Sequence, residues 1–565
     1  MDQGPRRRAG VLGVLFFGIF FALLVRLYAI QVVGHEEQAL RREAQTTGAV
    51  RATGTRGVLM DSGGQILAVS VPAESVWANP QAIEDPVAAA KLLSRALPVP
   101  FDTLYRRLAD RSRKFVWVKR KVSPEEAAAA RALQGEPAFK TSRRSPQARM
   151  GFQTEFVRRY PHGPLMSHMV GFEGSDPRLS EGSEKSLEAV LAAEEKVFEV
   201  RLDGRRGVLD AQAVDVTGKE IRLTVDVHLQ KVMEEELDAV AAEYRPQWAV
   251  AVAMDPRSGR ILGICNRPTF DPNQPARSPA DARINRAIVF PYEPGSTLKP
   301  FVAAWALDQG LATPETKYYC ENGLWVIGSR RLHDHDPYGT LTLAEGIIKS
   351  SNIFAAKCGS QTLGRRRTFE CMKAFGFGAR TEIDLPAEED GRLFPLAKWT
   401  TFTDTSVPMG HEISVTPLQL VAAMSAIANG GTLYRPYVVD RVTAADGTIM
   451  AENGPQAVRR VIGEKASRQM VEILKRVVTE GTGRKAQVAG IPLAGKTGTT
   501  QKIDPATHQY THHKFISSFV GFAPANDPKI CIAVVVDEPQ GAYYGGAVAA
   551  PVVGRIIERG LVYVR

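Results

Sequence analysis

The spacing of apolar positions changes character along this chain. Residues 9–25 form an uncharged run rich in Leu, Phe, Val and Ile, directly behind Arg6, Arg7 and Arg8. As a helix this run spans about 26 Å, and residues 27–33 extend it past the ~30 Å of a bilayer core. Arg26 interrupts it near the outer end, where its stem can snorkel or face a partner helix. The basic flank predicts that the bulk of the chain lies outside the cytoplasm. No small-residue cleavage site follows, so the run reads as an uncleaved signal-anchor rather than a signal peptide. Residues 35–55 are polar and read as a helical stalk. Residues 56–68 alternate around Gly63-Gly64 and predict a β-hairpin. Residues 101–160 are basic and uneven, with a helical patch at 125–133. That stretch reads as a solvated face, or else as a contact for anionic headgroups or wall polymer.

From residue 220 the pattern becomes regular. A strand is predicted at 221–226, a helix of period 3.6 at 230–244, and strands at 249–254 and 261–265 around Asp255-Pro-Arg-Ser-Gly259. Helical patterns follow at 297–309, 343–358, 417–428 and 465–478, and strands return at 515–522 and 530–536. Strands first, helices between and strands last predict an α/β (α+β) domain whose sheet draws on both ends of the segment. The expected division is a cytoplasmic tail (1–8), a transmembrane signal-anchor (9–33), an elongated mixed β/α domain (34–219) and a C-terminal domain (220–565).

Composition narrows this picture only slightly. A chain of 565 residues needs at least two domains, and 44% hydrophobic with 23% charged residues is a folded balance. The net charge of +10 would suit nucleic acid, but an exported chain argues against that partner. Five cysteines (265, 320, 358, 371, 531) have no metal-ligand spacing. They read as buried thiols, with a Cys358–Cys371 pair left open.

Candidate chemistry rests on three clusters in order: Ser296-Thr-Leu-Lys299, Ser350-Ser-Asn352 and Lys496-Thr-Gly-Thr499. Each is weak alone; together they predict one serine acyl-transfer site assembled from distant segments. Pro294-Gly295 delivers Ser296 to a helix N-terminus, where free N–H groups favour developing negative charge. Lys299 shares its face and can act as base if burial or a nearby cation, such as Lys496, keeps it partly neutral. Ser350 can relay a proton and Asn352 can hold a carbonyl; the bland alternative is that they cap a helix. Lys496-Thr-Gly-Thr499 reads as the end of an edge strand. There Lys496, Thr497 and Thr499 suit a carboxylate, and Gly498 lets backbone pass close to the serine. The N–H groups of Ser296 and Thr499 would form an oxyanion hole.

Three rival motifs need weighing. Gly490 to Thr497 matches a P-loop pattern and residues 532–538 resemble a Walker B strand. A P-loop lysine must open a helix, however, and Gly498-Thr-Thr-Gln is β-prone. His333-Asp-His-Asp336 offers metal ligands, but Pro337 and Gly339 after it make it a surface loop, so no metal is expected. His508, His512 and His513 read as the rim of a cleft.

On these motifs the chain resembles the class B penicillin-binding proteins. Family-like segments are Arg56-Gly-Val-Leu-Met-Asp61, Arg159-Tyr-Pro161, Gly171-Phe172 and Glu184-Lys-Ser-Leu-Glu188. Others are Tyr292-Glu-Pro-Gly-Ser296, Thr416-Pro-Leu-Gln419, Ala428-Asn-Gly-Gly431 and Tyr544-Gly-Gly546 with Val548-Ala-Ala-Pro551. The stretches 67–72 and 76–80, with Glu184-Lys-Ser186, look most like the septal, FtsI-type branch. The resemblance implies a non-catalytic pedestal of the dimerisation type and a transpeptidase domain with a central antiparallel sheet flanked by helices, needing no cofactor. It implies that Ser296 attacks the penultimate D-Ala carbonyl of a peptidoglycan stem peptide on lipid-linked precursor strands, and that β-lactams acylate the same serine. Lys299 would be base, Ser350 relay, Asn352 clamp, and Lys496, Thr497 and Thr499 carboxylate holders. An FtsW-like glycosyltransferase and other divisome membrane proteins would be partners, at the cytoplasmic (inner) membrane with the catalytic domain periplasmic. Met60-Asp-Ser-Gly-Gly64 departs from the usual basic residue and Asn-Gly of that hairpin, and residues 191–200 are unusually rich in Ala and Glu. An elongation-type enzyme, a D,D-carboxypeptidase or β-lactamase, and a non-catalytic divisome scaffold are the competing readings.

Overall fold

The computed structural model describes residues 4–33, 36, 47–140, 149–192, 195–202, 208–210, 218–504, 506–507 and 509–564. The chain forms two compact units, Met1–Thr55 with Ala193–Gly218, and Arg56–Ala192 with Lys219–Arg565.

In the first unit an α-helix, Gly4–Tyr28, runs into a π-helical turn, Ala29–Val33. Its stretch Gly10–Val33 has mean hydropathy 2.4 and buries none of its surface in the protein, as a membrane span requires. The same unit holds a three-stranded antiparallel sheet in which Glu195–Leu202 pairs with Thr47–Thr53 and Val208–Asp210. The helix expected across 35–55 is therefore a strand over Thr47–Thr53. Two threonines and a valine favour extended backbone, and Gly48 disfavours a helix. Residues 35 and 37–46 of that expectation lie outside the described residues.

The second unit contains two larger sheets. The pedestal sheet runs Ile449–Glu452, Val439–Thr443, Glu220–Leu223, Leu59–Met60, Ile66–Ala78 and Val116–Val122, and Met150–Arg159 adds to Ile66–Ala78. The strand predicted at 221–226 thus belongs here rather than in the C-terminal sheet. Ile221 and Leu223 point the same way and are buried with Leu59 and Val439, which fixes that register. Helices Pro86–Ala96, Phe101–Ala109 and Pro124–Ala132 close a separate core around Val76, Leu93, Leu104 and Val118. A capping box between Ser123 and Glu126 starts the third of them.

The family-like pedestal segments converge on one buried ion network. Glu184 is fully buried and accepts from Arg56 Nε (2.7 Å) and Arg158 Nε (2.6 Å). Arg56 also reaches Glu188, and Arg158 Nη1 donates to Gly57 O. Asp61 ties this region to the next: one carboxylate oxygen accepts from the Gly63 and Gln65 N–H groups, the other from Val227 N at 3.1 Å.

The central antiparallel sheet comprises β1 (Trp248–Met254), β2 (Ile261–Arg267), β3 (Ala494–Ile503), β4 (Tyr510–Ala523) and β5 (Ile530–Asp537), in the order β2-β1-β5-β4-β3. Both ends of the segment contribute, as the pattern predicts. The flanking helices are α1 (Val227–Tyr244), α2 (Lys299–Asp308), α3 (Pro417–Ala428), α4 (Glu464–Thr479) and α5 (Ala550–Gly560). Alternation along the strands divides the core into two layers. Val250, Val252, Val520, Cys531 and Val535 pack with α2, α3 and α4, whereas Ala249, Ala251, Phe519, Ile532 and Val534 pack with α1 and α5. All strand positions of β1 and β5 are buried, and β3 is an edge of the sheet, packed against the turn Gly295–Leu298.

Candidate active site

The chain enters the site through Tyr292, whose backbone bridges to Val415. A 3₁₀ turn, Gly295–Leu298, feeds α2, which opens at Lys299 with Pro300 in its first turn, where a missing N–H costs nothing. Thr297 Oγ1 donates to Pro294 O at 2.8 Å and holds the turn. Gly295 has φ +55° and donates to Gly410 O at 3.1 Å; a Cβ on it would come 2.3 Å from Thr500 Oγ1. Gly498 is equally constrained from the other side, since a Cβ there would lie 2.9 Å from both Pro294 O and Thr297 Cγ2. The Ser296 turn and β3 therefore touch backbone to backbone, and Ser296 is half-buried.

Lys299 and Lys496 are both buried and meet at Ser350. Lys496 Nζ donates to Ser350 Oγ at 2.9 Å and to Thr497 O at 3.1 Å. Lys299 Nζ donates to Ser350 O (2.5 Å), Asn352 Oδ1 (2.8 Å) and, more weakly, Ser350 Oγ (3.4 Å). Its hydrogen bonds go to the Ser350 cluster and none is directed at Ser296, which shares its helical face one turn earlier; such contacts often close only when substrate arrives. Burial pushes the Lys299 ammonium down to about 7, with the Asp334 carboxylate pulling weakly the other way. Burial, and then the charge of Lys299, hold Lys496 well below the ordinary lysine range. Two cations in one dry pocket disfavour double protonation.

The helix expected over 343–358 is instead two short helices, Leu343–Ile348 and Asn352–Lys357, with Ser350 between them at φ +60°. Gly346 allows the pair to fold back, because a Cβ on it would lie 2.3 Å from the Phe354 ring. The left-handed residue is locally strained, a feature that recurs at functional turns. Sequence reasoning missed the group that holds it. Asp334 accepts from Asn352 N (2.5 Å), Ile353 N (3.0 Å) and Ser351 Oγ (2.6 Å). Asn352 Nδ2 donates to His333 O at 2.9 Å, which fixes its amide. The capping reading of Ser350-Ser-Asn352 is thus true of Ser351, whose Oγ accepts from Phe354 N, while Ser350 and Asn352 face the lysines. The motif at 333–336, read as a turn with possible ligands, supplies this brace; the signal was an Asp before a turn, too common to single out.

Lys496, Thr497, Gly498 and Thr499 lie inside β3, not at a strand end. The strand continues to Ile503 because it pairs with β4 through Gln501. No helix follows Lys496, so the P-loop geometry is absent there. Thr497 Oγ1 pairs with Thr482 Oγ1 at 2.7 Å, and Thr499 Oγ1 accepts from Gly545 N at 2.9 Å. The Thr482–Thr497 hydroxyl pair keeps one proton to offer, and the Thr499 hydroxyl, an acceptor here, keeps its own. Glu293, next to the Ser296 turn, accepts from Tyr510 OH at 2.9 Å and from Glu412 N at 3.0 Å, and lies 3.0 Å from His411 Nδ1. This cluster ties the turn to the outer end of β4. His512 and His513 are exposed on β4, and His508 lies outside the described residues. All five cysteines are buried and free.

A buried lysine pair, a strained serine and a glycine-lined edge strand beside a second serine define a serine acyltransferase of the penicillin-binding kind. The chain belongs to the class B penicillin-binding proteins, serine-type peptidoglycan D,D-transpeptidases: the penicillin binding protein transpeptidase domain matches residues 249–558 and the penicillin-binding protein dimerisation domain matches residues 51–232. It is 34% identical to Stage V sporulation protein D of Bacillus subtilis over 98% of this chain and 85% of that protein. It is 30% identical to the peptidoglycan D,D-transpeptidase FtsI of Escherichia coli over 98% of this chain and 90% of that protein. Among solved structures, penicillin-binding protein 3 of Mycobacterium tuberculosis in complex with aztreonam superposes with a TM-score of 0.69 at 25% identity, covering 91% of this chain and 96% of that one.

Proposed function

We propose that this chain cross-links peptidoglycan through an acyl-enzyme on Ser296, at the division septum. The observation that carries the reading is the convergence of two buried lysines on Ser350 Oγ beside the Ser296 turn. In the proposed cycle neutral Lys299 takes the Ser296 hydroxyl proton as Oγ bonds to the penultimate D-Ala carbonyl carbon. The N–H groups of Ser296 and Thr499 receive the oxyanion. The C–N bond then breaks, and the proton returns through Ser350 to the departing D-Ala amine. Asn352 positions the donor peptide, and Lys496 with Thr497 and Thr499 binds its terminal carboxylate, Gly498 leaving room for the backbone to approach. An amine of a neighbouring stem attacks the ester, forms the cross-link and restores Ser296.

β-Lactams acylate the same serine in this reading, in keeping with the aztreonam complex of the mycobacterial neighbour. The septal assignment rests on the FtsI relatives. The helix carrying Gly10–Val33 is the single membrane anchor, the three arginines before it stay cytoplasmic, and both domains are periplasmic. We assign residues 34–219 to the pedestal and 220–565 to the transpeptidase domain, with an FtsW-like glycosyltransferase and other divisome proteins as membrane partners. Stem pentapeptide with an acceptor amine should release D-Ala and yield cross-linked product with the wild type and neither with Ser296→Ala. Cells depleted of the protein should form filaments; round cells would move it to elongation.

A further inference from the structure

An aromatic and basic cleft of the pedestal lies outside the acyl-transfer chemistry. It has a volume of about 610 Å³ and is lined by Val99, Arg107, Arg113, Phe115, Trp117 and Arg120 among others. Its floor is the edge strand Val116–Val122, whose alternation buries Val116 and Val118 in the separate core closed by the three pedestal helices and leaves Trp117 half-exposed. Phe115, just before that strand, is 43% exposed. The rings are held by packing. Trp77 stacks on Phe115 with centroids 5.6 Å apart, and Phe115 meets Trp117 edge-on at 4.8 Å. Gly151 on the third strand makes room for the Trp77 indole, because a Cβ there would come within 2.5 Å of it.

Charge gives the cleft its direction. Residues 99–121 hold eight Lys and Arg against two Asp. Arg113 and Arg120 are paired with Asp110 and Glu155. Arg107 is different: its Nη1 donates to the carbonyls of Trp117 (3.0 Å) and Val118 (3.2 Å), and among the described residues it meets no carboxylate. Its guanidinium is thus ordered over the cleft with its charge and its other N–H groups uncommitted. Ordered aromatic rings beside such a guanidinium suit a ligand with apolar C–H faces and carboxylates. A pyranose ring offers the first and a stem peptide the second. A bilayer surface would ask instead for a continuous apolar face on an amphipathic helix, and this surface is a concave strand edge.

We infer that the cleft is a second binding site for the wall polymer, seating an uncross-linked glycan strand on Phe115 and Trp117 with a stem-peptide carboxylate on Arg107. This rests on the proposed action on peptidoglycan. A strand held there turns encounter of its stem peptides with the same molecule into a tethered event, raising their effective concentration.

The test uses the full-length chain in detergent with its nucleophile first capped by penicillin, so that the acyl-transfer site contributes nothing to retention. Soluble uncross-linked strands bearing stem peptides should bind the wild type, while Phe115→Ser and Arg107→Gln should each bind about tenfold more weakly. Both variants should take up penicillin at the wild-type rate, which verifies their fold. Variants that bind strands like the wild type would overturn the inference. So would phosphatidylglycerol vesicles binding the cleft as well as strands do, or no retention of strands at all, which would leave the surface to a protein partner. Failure of the capping step itself would count against the acyl-enzyme reading and leave strand retention to be read separately.

Discussion

At the scale of single residues, the site depends on removing charge from water. Lys299 is pushed down to about 7 by burial. A base with a lowered value becomes competent as pH rises through it, so penicillin acylation should increase from pH 6 to 8 with a midpoint near 7. Lys299→Arg, which cannot lose its proton, should slow acylation by roughly 10²–10⁴-fold at every pH in a stopped-flow assay. Asp334 works against the burial of Lys299 while bracing the Ser350 turn. Asp334→Ala should therefore move the midpoint of the acylation profile to more acid pH and cost about 2 kcal/mol of stability. A profile unmoved by the substitution would reduce Asp334 to a purely structural cap. Gly498→Ala should cost about 1–3 kcal/mol and slow acylation, since its Cβ meets Pro294 O and Thr297 Cγ2 at 2.9 Å.

At the scale of elements, much was legible because local patterns agree with the fold. The residues of β1, and of β5 up to its terminal Asp537, are hydrophobic without interruption, and both strands are buried on both faces. The N-terminus of α2 was readable from Pro294-Gly295 and Pro300, which no helix interior tolerates. Four things were hidden. The break at Ser350 has no proline or glycine to announce it; it is imposed from outside by Asp334 and by the Phe354 ring over Gly346. The strand Glu220–Leu223 reads the same in either sheet, and only its burial with Leu59 and Val439 assigns it. The pairing of Thr47–Thr53 with Glu195–Leu202 joins segments far apart in sequence. The Glu293 cluster belongs to the same class, since Tyr510 and His411 meet Glu293 only through tertiary structure. Tyr510→Phe removes one donor to Glu293 and loosens the outer end of β4 from the Ser296 turn. It should weaken the initial penicillin complex more than it slows the acylation step, a split that single-turnover kinetics resolves.

At the scale of the whole molecule, the pedestal motifs that looked like scattered family signatures form one buried device. Arg56, Arg158 and Glu184 are separated by up to 128 positions yet share hydrogen bonds. Removing the acid takes from the buried Arg158 guanidinium its carboxylate partner and leaves Arg56 with Glu188, so Glu184→Ala should destabilise the protein by about 3 kcal/mol in a thermal unfolding measurement. Asp61 joins this region to α1 through Val227 N, which couples the pedestal hairpin to the domain that carries the chemistry. In the proposed enzyme, distant segments fold to activate one serine. Intact-mass and peptide-mapping spectrometry after brief exposure to benzylpenicillin reads that activation. A single penicilloyl adduct on Ser296, lost in Lys299→Arg on the same timescale, is the predicted result; an adduct on another residue, or none on folded wild-type protein, would contradict it.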